Sequence, residues 1–132
     1  MIKITIPRKV LTINHVYGFR GFRKFIKKEG RELKEFIIET IRADYIKNQE
    51  ELSTFTDALS VTINVYENWL TKDKKIKRKD LDNRAKFLLD AVFEGLQLDD
   101  KLIYKLILLK VQSTEEKSIV YIERLNKNDK SC

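Results

Sequence analysis

The stretch that most limits how this chain can fold is Leu59-Ser60-Val61-Thr62-Ile63-Asn64-Val65. Four aliphatic residues alternate with three polar ones, the period-two pattern of a strand with one buried face. Such a strand needs neighbours in a sheet and a layer of structure over its apolar side. Two stretches supply that layer. From about Glu29 to Glu50, Leu33, Phe36, Ile37, Ile41 and Tyr45 share one helical stripe, with Glu35, Glu39 and Arg42 off it. From about Leu81 to Leu96, the residues Leu81, Ala85, Leu88, Leu89, Val92 and Leu96 form a second stripe, and Gly95 is placed to end that helix.

Further strands follow from the same reasoning. Ile2, Ile4 and Ile6 alternate with Lys3 and Thr5 until Pro7, the only proline, ends the run. Leu102 to Val111 is almost continuously apolar. Thr114 to Glu116 then predicts the turn of a hairpin returning through Ile119 and Tyr121. The order β-α-β-α-β-β predicts an α+β fold, a mixed β-sheet with two helices packed on it. The length of 132 residues suits one domain over residues 1–125, with a polar tail over 126–132. Residues 8–28 have poor periodicity, interrupted by Gly18 and Gly21, and read as a long connection.

Several kinds of chemistry are excluded by composition. Cys132 is the only cysteine and His15 the only histidine, so disulfides and a sulfur- and imidazole-based zinc site within one chain are ruled out. His15 reads as a loop residue or a phosphate contact rather than a catalytic base. Acid–base or metal chemistry must come from carboxylates and lysines. No apolar run approaches the ~18 residues that span a bilayer. The start MIKITIPRKV has no apolar core of a secretory signal, so a cytoplasmic location without membrane association is expected.

The formal charge of +7 favours a polyanionic partner, and its clustering says more than the total. Between Arg8 and Arg31 there are eight basic residues and one acidic, Glu29. Tyr17, Phe19, Phe22 and Phe25 are interleaved there with Arg20, Arg23 and Lys24. Rings of this kind either cap the core or stack on unpaired bases. Between Lys72 and Lys79 there are six basic residues and only Asp73 opposing them. Such runs can also be no more than a solvated face. Trp69, just before this basic loop, reads as the anchor of a strand end.

The basic loop leads into Lys79-Asp80-Leu81-Asp82-Asn83, and Asp99-Asp100 follows the second helix. Two residues apart, Asp80 and Asp82 would face nearly opposite ways inside a helix. They converge only if Asp80 lies in the extended chain before the first turn. The competing reading makes Asp80 an N-cap and Asp82 a first-turn acid favoured by the helix dipole. Asp82, Lys86 and Asp90 recur every fourth residue, a polar line beside the apolar stripe. Asp99-Asp100, at the start of the next strand, is placed to return beside the helix start. Carboxylates in a basic surface suit phosphodiester cleavage, where lysines hold phosphates and hard oxygen ligands hold Mg²⁺, with Mn²⁺ a substitute.

The run Arg78-Lys79-Asp80-Leu81-Asp82-Asn83, followed by Lys86, Asp90 and Leu98-Asp99-Asp100, resembles the RusA family of Holliday junction resolvases. That family shares a basic stretch into D-x-D-N, a lysine four residues after the second Asp, and a downstream D-D pair. Asn14 and Tyr17 in a basic loop after the first strand are similarly arranged. Lys79 and Leu98 stand where the family often has a proline and an aromatic. The resemblance implies a homodimer that nicks four-way, branched DNA junctions symmetrically with Mg²⁺ and no organic cofactor. By position it implies Asp80, Asp82 and Asp100 as catalytic carboxylates and metal ligands, Asp99 as a further ligand and Lys86 as a phosphate clamp. Asn14, Tyr17, Arg20, Arg23, Lys24, Lys75, Lys77, Arg78 and Lys79 would contact DNA. Two alternatives stand beside it: a non-catalytic basic nucleic-acid-binding module, and a dimeric interaction protein whose aspartates cap a helix.

Overall fold

A computed structural model describes residues 1–9, 17–21, 23–79 and 81–125; for Tyr17, Phe19, Arg20, Arg23, Lys24, Phe25 and Asn83 it describes the backbone only. The period-two run forms strand β4 (Leu59–Glu67), two residues longer than its apolar alternation suggested. Its even partners, Ser60 to Tyr66, are half-buried, while Leu59, Val61, Ile63 and Val65 are buried. Each fully buried side chain of this kind contributes about 1.5–3 kcal/mol relative to leaving it in water.

The chain begins with β1 (Ile2–Ile6) and reaches a hairpin, β2 (Tyr17–Arg20) and β3 (Arg23–Ile26), turned at Gly21 with φ of 60°. This hairpin corrects the reading of residues 8–28 as an unstructured connection. Four-residue strands are too short to impress a period on the sequence, and the glycine that interrupts the pattern supplies the left-handed turn. Next come α1 (Lys28–Lys47) and the single-turn α2 (Gln49–Leu52), a short addition to the two expected helices. After β4 come α3 (Leu81–Gly95), a 3₁₀ turn (Asp100–Leu102), β5 (Ile103–Gln112) and β6 (Lys117–Arg124).

The four-stranded sheet has the order β1-β6-β4-β5. Strand β6 runs antiparallel to both β1 and β4, and β5 runs parallel to β4. The expected β5–β6 hairpin is therefore wrong: the two strands are consecutive in the chain but separated by β4. Register gives the reason. Lys110 pairs with Val65 on the helix-facing side and Lys105 with Ser60 on the other, so neither face of β5 is free of charge. Strand β6 offers Ser118, Val120 and Ile122 to the helix side, all buried, and takes the central place. A strand carrying lysines on both faces suits an edge. Most of β5 is exposed, including Tyr104, Leu106, Ile107 and Leu109.

Ile2, Ile4 and Ile6 of β1 complete the apolar face of the sheet. Against it lie Leu33, Ile37 and Ile41 of α1 and Ala85, Leu88, Ala91 and Val92 of α3. The two helices also touch each other. A Cβ built on Gly95 would sit 2.3 Å from Ile41 Cδ1, so this glycine allows a close helix–helix approach. The left-handed residue that ends α3 is Gln97, with φ of 56°, rather than Gly95. No helix among the described residues is long and apolar enough to cross a membrane.

Candidate active site

The parallel β4–α3–β5 path fixes where the candidate residues go. A parallel pair needs the chain to return to the same end before the second strand begins, and α3 makes that return. The start of α3 therefore lies at the far end of β4, near Glu67, and its finish lies near the start of β5, where Ile103 pairs with Leu59.

At the far end, Trp69 is buried and held from several sides. Its ring nitrogen Nε1 donates to the Val65 carbonyl at 3.0 Å, and its backbone N–H donates to Gln112 Oε1 at 2.7 Å. The Lys110 ammonium lies 4.8 Å from the ring centroid. Trp69 thus anchors a strand end, as expected. The basic loop then doubles back through a bridge between Leu70 and Ile76, with the Lys77 N–H donating to the Trp69 carbonyl at 2.9 Å. Lys72, Lys74, Lys75 and Arg78 are exposed and Lys77 is half-buried.

Lys79 behaves differently from its neighbours. Its Nζ donates to Glu67 Oε2 at 2.8 Å, and Arg84 Nη1 lies 2.9 Å from Glu67 Oε1. Glu67 and Arg84 are 2% and 4% exposed, so this is an ion cluster withdrawn from solvent. The guanidinium of Arg84 also lies 5.5 Å from the centroid of the Trp69 ring. The sequence reading passed over both residues, although a signal existed. Glu67 falls two residues after Val65, at the next inward position of the strand. Arg84 falls four before Leu88, on the apolar side of the helix.

Within that clamp the chain carries Asp82, exposed in the first turn of α3. Lys86 and Asp90, also exposed, follow at one-turn intervals. Asp80, Asn14 and the tail lie outside the described residues, as do the side chains of Tyr17, Arg20, Arg23 and Lys24. The choice between cap and ligand for Asp80 therefore lies outside them too.

At the other end of α3, Asp90 meets Asp99 and Asp100 around an open groove of about 590 Å³, lined also by Lys34, Glu94 and Gln97. Lys34 Nζ pairs with Glu94 at 2.6 Å there. Asp99 caps the 3₁₀ turn: its Oδ1 accepts the Lys101 N–H at 3.0 Å. Asp100, first residue of that turn, is exposed. So the helix brings Asp100 to Asp90 and not to Asp82. At 1.5 Å per residue, Asp82 and Asp90 are about 12 Å apart along the axis. A single divalent ion needs its ligands within about 2.0–2.6 Å. Among the described residues, no three His, Cys, Asp or Glu gather closely enough to hold one ion.

Comparison with known proteins adds one finding. Residues 12–123 match the family model described as Endodeoxyribonuclease RusA, which covers most of the chain, including the whole run from the basic loop to Asp100. No curated protein sequence gives a match.

Proposed function

This chain belongs to the RusA family of endodeoxyribonucleases, and from that premise we propose that it is a divalent-metal-dependent resolvase of four-way DNA junctions. We place its active site across two subunits. The observation that carries this reading is the distance along α3. Asp82 and Asp100, the carboxylates implied for one site, sit at opposite ends of a 15-residue helix. Two copies related by a two-fold axis remove the difficulty. The edge of β5 bears Tyr104, Leu106, Ile107 and Leu109, four exposed apolar side chains on a strand that has no neighbour on its outer side among the described residues. Antiparallel pairing of β5 with a second β5 would set the start of each strand against the end of the other. Asp100 of one subunit then approaches the helix start that carries Asp82 in its partner. Such an isologous contact produces two identical sites, the number a paired cut requires.

The donor set fits a hard cation. Asp82 and Asp100 are exposed carboxylates, and oxygen ligands of this type suit Mg²⁺ or Mn²⁺. A cation bound there would polarise the scissile phosphate and lower the pKa of an attacking water. Lys86, one turn past Asp82, is placed to clamp a phosphate oxygen and oppose the charge that grows on it. Lys72, Lys74, Lys75 and Arg78 offer a positively charged strip leading into the site. The reading as a binding module without catalysis has no observation of its own in its favour.

Incubation of the purified protein with a labelled four-way junction tests this, with Mg²⁺ or with EDTA. Symmetric nicks that require Mg²⁺ are expected. Asp82→Asn should reduce cutting by at least ~10²-fold, because it removes a ligand charge, while junction affinity is retained by the basic strip. Binding without nicks under every metal condition would overturn the assignment.

A further inference from the structure

We infer that Ile76 selects branched over continuous DNA, by entering the gap where base stacking is broken at a branch point. This inference rests on the resolvase reading given above. Ile76 is 78% exposed, the most exposed large apolar side chain among the described residues. It lies inside the basic loop, between Lys75 and Lys77, and six residues before Asp82. Six residues of chain reach no further than about 20 Å, so Ile76 meets the DNA within one helical turn of the proposed cut.

The loop that presents it is a folded ribbon rather than a tether. Leu70 bridges Ile76 across the ribbon. The Thr71 N–H donates to the Lys75 carbonyl at 2.8 Å, and the Lys74 N–H donates to the Thr71 carbonyl at 2.9 Å. Lys74 makes the turn with φ of 60°, and Thr71 Oγ1 accepts the Lys75 N–H at 3.1 Å. The root is tied to the end of β5. Gln112 accepts the Trp69 N–H at 2.7 Å and donates from Nε2 to Asn68 Oδ1 at 2.9 Å, and the same Asn68 oxygen accepts the Leu70 N–H at 3.1 Å. An isoleucine held out from such a ribbon is also stiff at χ1, so it loses little freedom on insertion.

The surroundings of Ile76 choose its partner. Docking on an apolar protein surface would bury the neighbouring lysines without counter-charges, at a cost. Nucleic acid offers apolar base faces rimmed by phosphates, which suits an apolar side chain among cations. Side chains such as isoleucine enter DNA between base steps and must unstack them to do so. In continuous duplex every step has to be opened. At a branch the stacking is already interrupted, so the same insertion costs less there. Lysines grip phosphates in either form of DNA, which leaves the apolar side chain to tell the two apart.

The test compares wild type, Ile76→Ala, Ile76→Leu and Lys75→Ala in EDTA at one fixed salt concentration. Affinity is measured for a four-way junction and for a duplex of the same sequence, with 2-aminopurine at the branch point to report unstacking. Ile76→Ala should weaken junction binding about 10-fold, leave duplex binding unchanged and abolish the fluorescence rise that wild type produces. Ile76→Leu should retain both the affinity and the rise. Lys75→Ala should weaken junction and duplex alike and keep the rise. The replaced side chains are exposed, so each variant should melt as wild type does. Equal losses on junction and duplex for Ile76→Ala, or a fluorescence rise that survives it, would overturn the inference. Unchanged DNA binding with an altered sedimentation coefficient would assign Ile76 to a contact between proteins, which overturns it as well. If wild type itself prefers no junction and cuts none with Mg²⁺, the resolvase reading fails and this inference with it. If wild type does both and Ile76→Ala matches it, the failure lies with Ile76 alone.

Discussion

A site shared between subunits makes an unusual demand on inactive variants: two of them should restore one another. Take one subunit with Asp82→Asn and its partner with Asp100→Asn. In a composite arrangement, one of the two sites in this mixed dimer receives both substitutions and the other receives neither. Sites confined to single chains would instead each carry one substitution, and both would be dead. The geometry makes the first outcome the expected one. Asp82 lies in the first turn of α3, while Asp100 follows its last turn and shares a groove with Asp90. The axial run from Asp82 to Asp90 alone is about 12 Å, several times the reach of a metal–oxygen bond. Co-expression with two affinity tags isolates the mixed dimer. Its nicking rate on a four-way junction should be about half that of wild type, since one of two symmetric sites is intact. Its product should be a singly nicked junction rather than paired duplexes. Each homodimeric variant should be inactive under the same conditions. A mixed dimer no more active than its parents, with both subunits present in the purified species, would refute the shared site.

Two further predictions concern the β5 edge and the contact between the two helices. Leu109 is 48% exposed on the β5 edge, so Leu109→Lys should change the stability of the single subunit by no more than about 0.5 kcal/mol. The same change should weaken dimerisation at least ~10-fold by sedimentation and lower nicking in step, because it places a charge in an apolar contact. A dimer of undiminished strength would move the interface away from β5. Gly95→Ala puts a methyl carbon 2.3 Å from Cδ1 and 2.7 Å from Cγ1 of the fully buried Ile41. Overpacking of this sort costs about 1–3 kcal/mol, and the helix propensity gained over glycine offsets up to about 1 kcal/mol. With the full offset, urea denaturation should show a net loss of up to about 2 kcal/mol. In an Ile41→Val background, which lacks Cδ1, the added cost of Gly95→Ala should shrink by about 1 kcal/mol, and equal costs in both backgrounds would contradict the contact.

What could be read from the chain alone was whatever has a local period. The alternation of Leu59 to Val65 and the stripes of Leu33 to Ile41 and Leu81 to Leu96 required a strand and two helices around one apolar layer, and those elements are present. The run from Arg78 to Asp100 likewise carried the family resemblance, since a motif is a property of neighbours in sequence. The tertiary structure decided matters that depend on competition between distant segments. Strand β6 took the central place between β1 and β4 because Ser118, Val120 and Ile122 bury on its helix-facing side and its one charge there, Arg124, falls at the strand end, whereas β5 carries Lys110 on that side; that turned an expected hairpin into a crossover and left an apolar edge exposed. The length and direction of α3 set Asp82 and Asp100 at opposite ends, although their spacing in sequence had suggested a meeting within one chain. Glu67 and Arg84 stood in the sequence as lone charges on apolar patterns. Only the packing of β4 against α3 shows that each is the other's partner, because burial makes an ion pair obligatory where neither charge could be left alone.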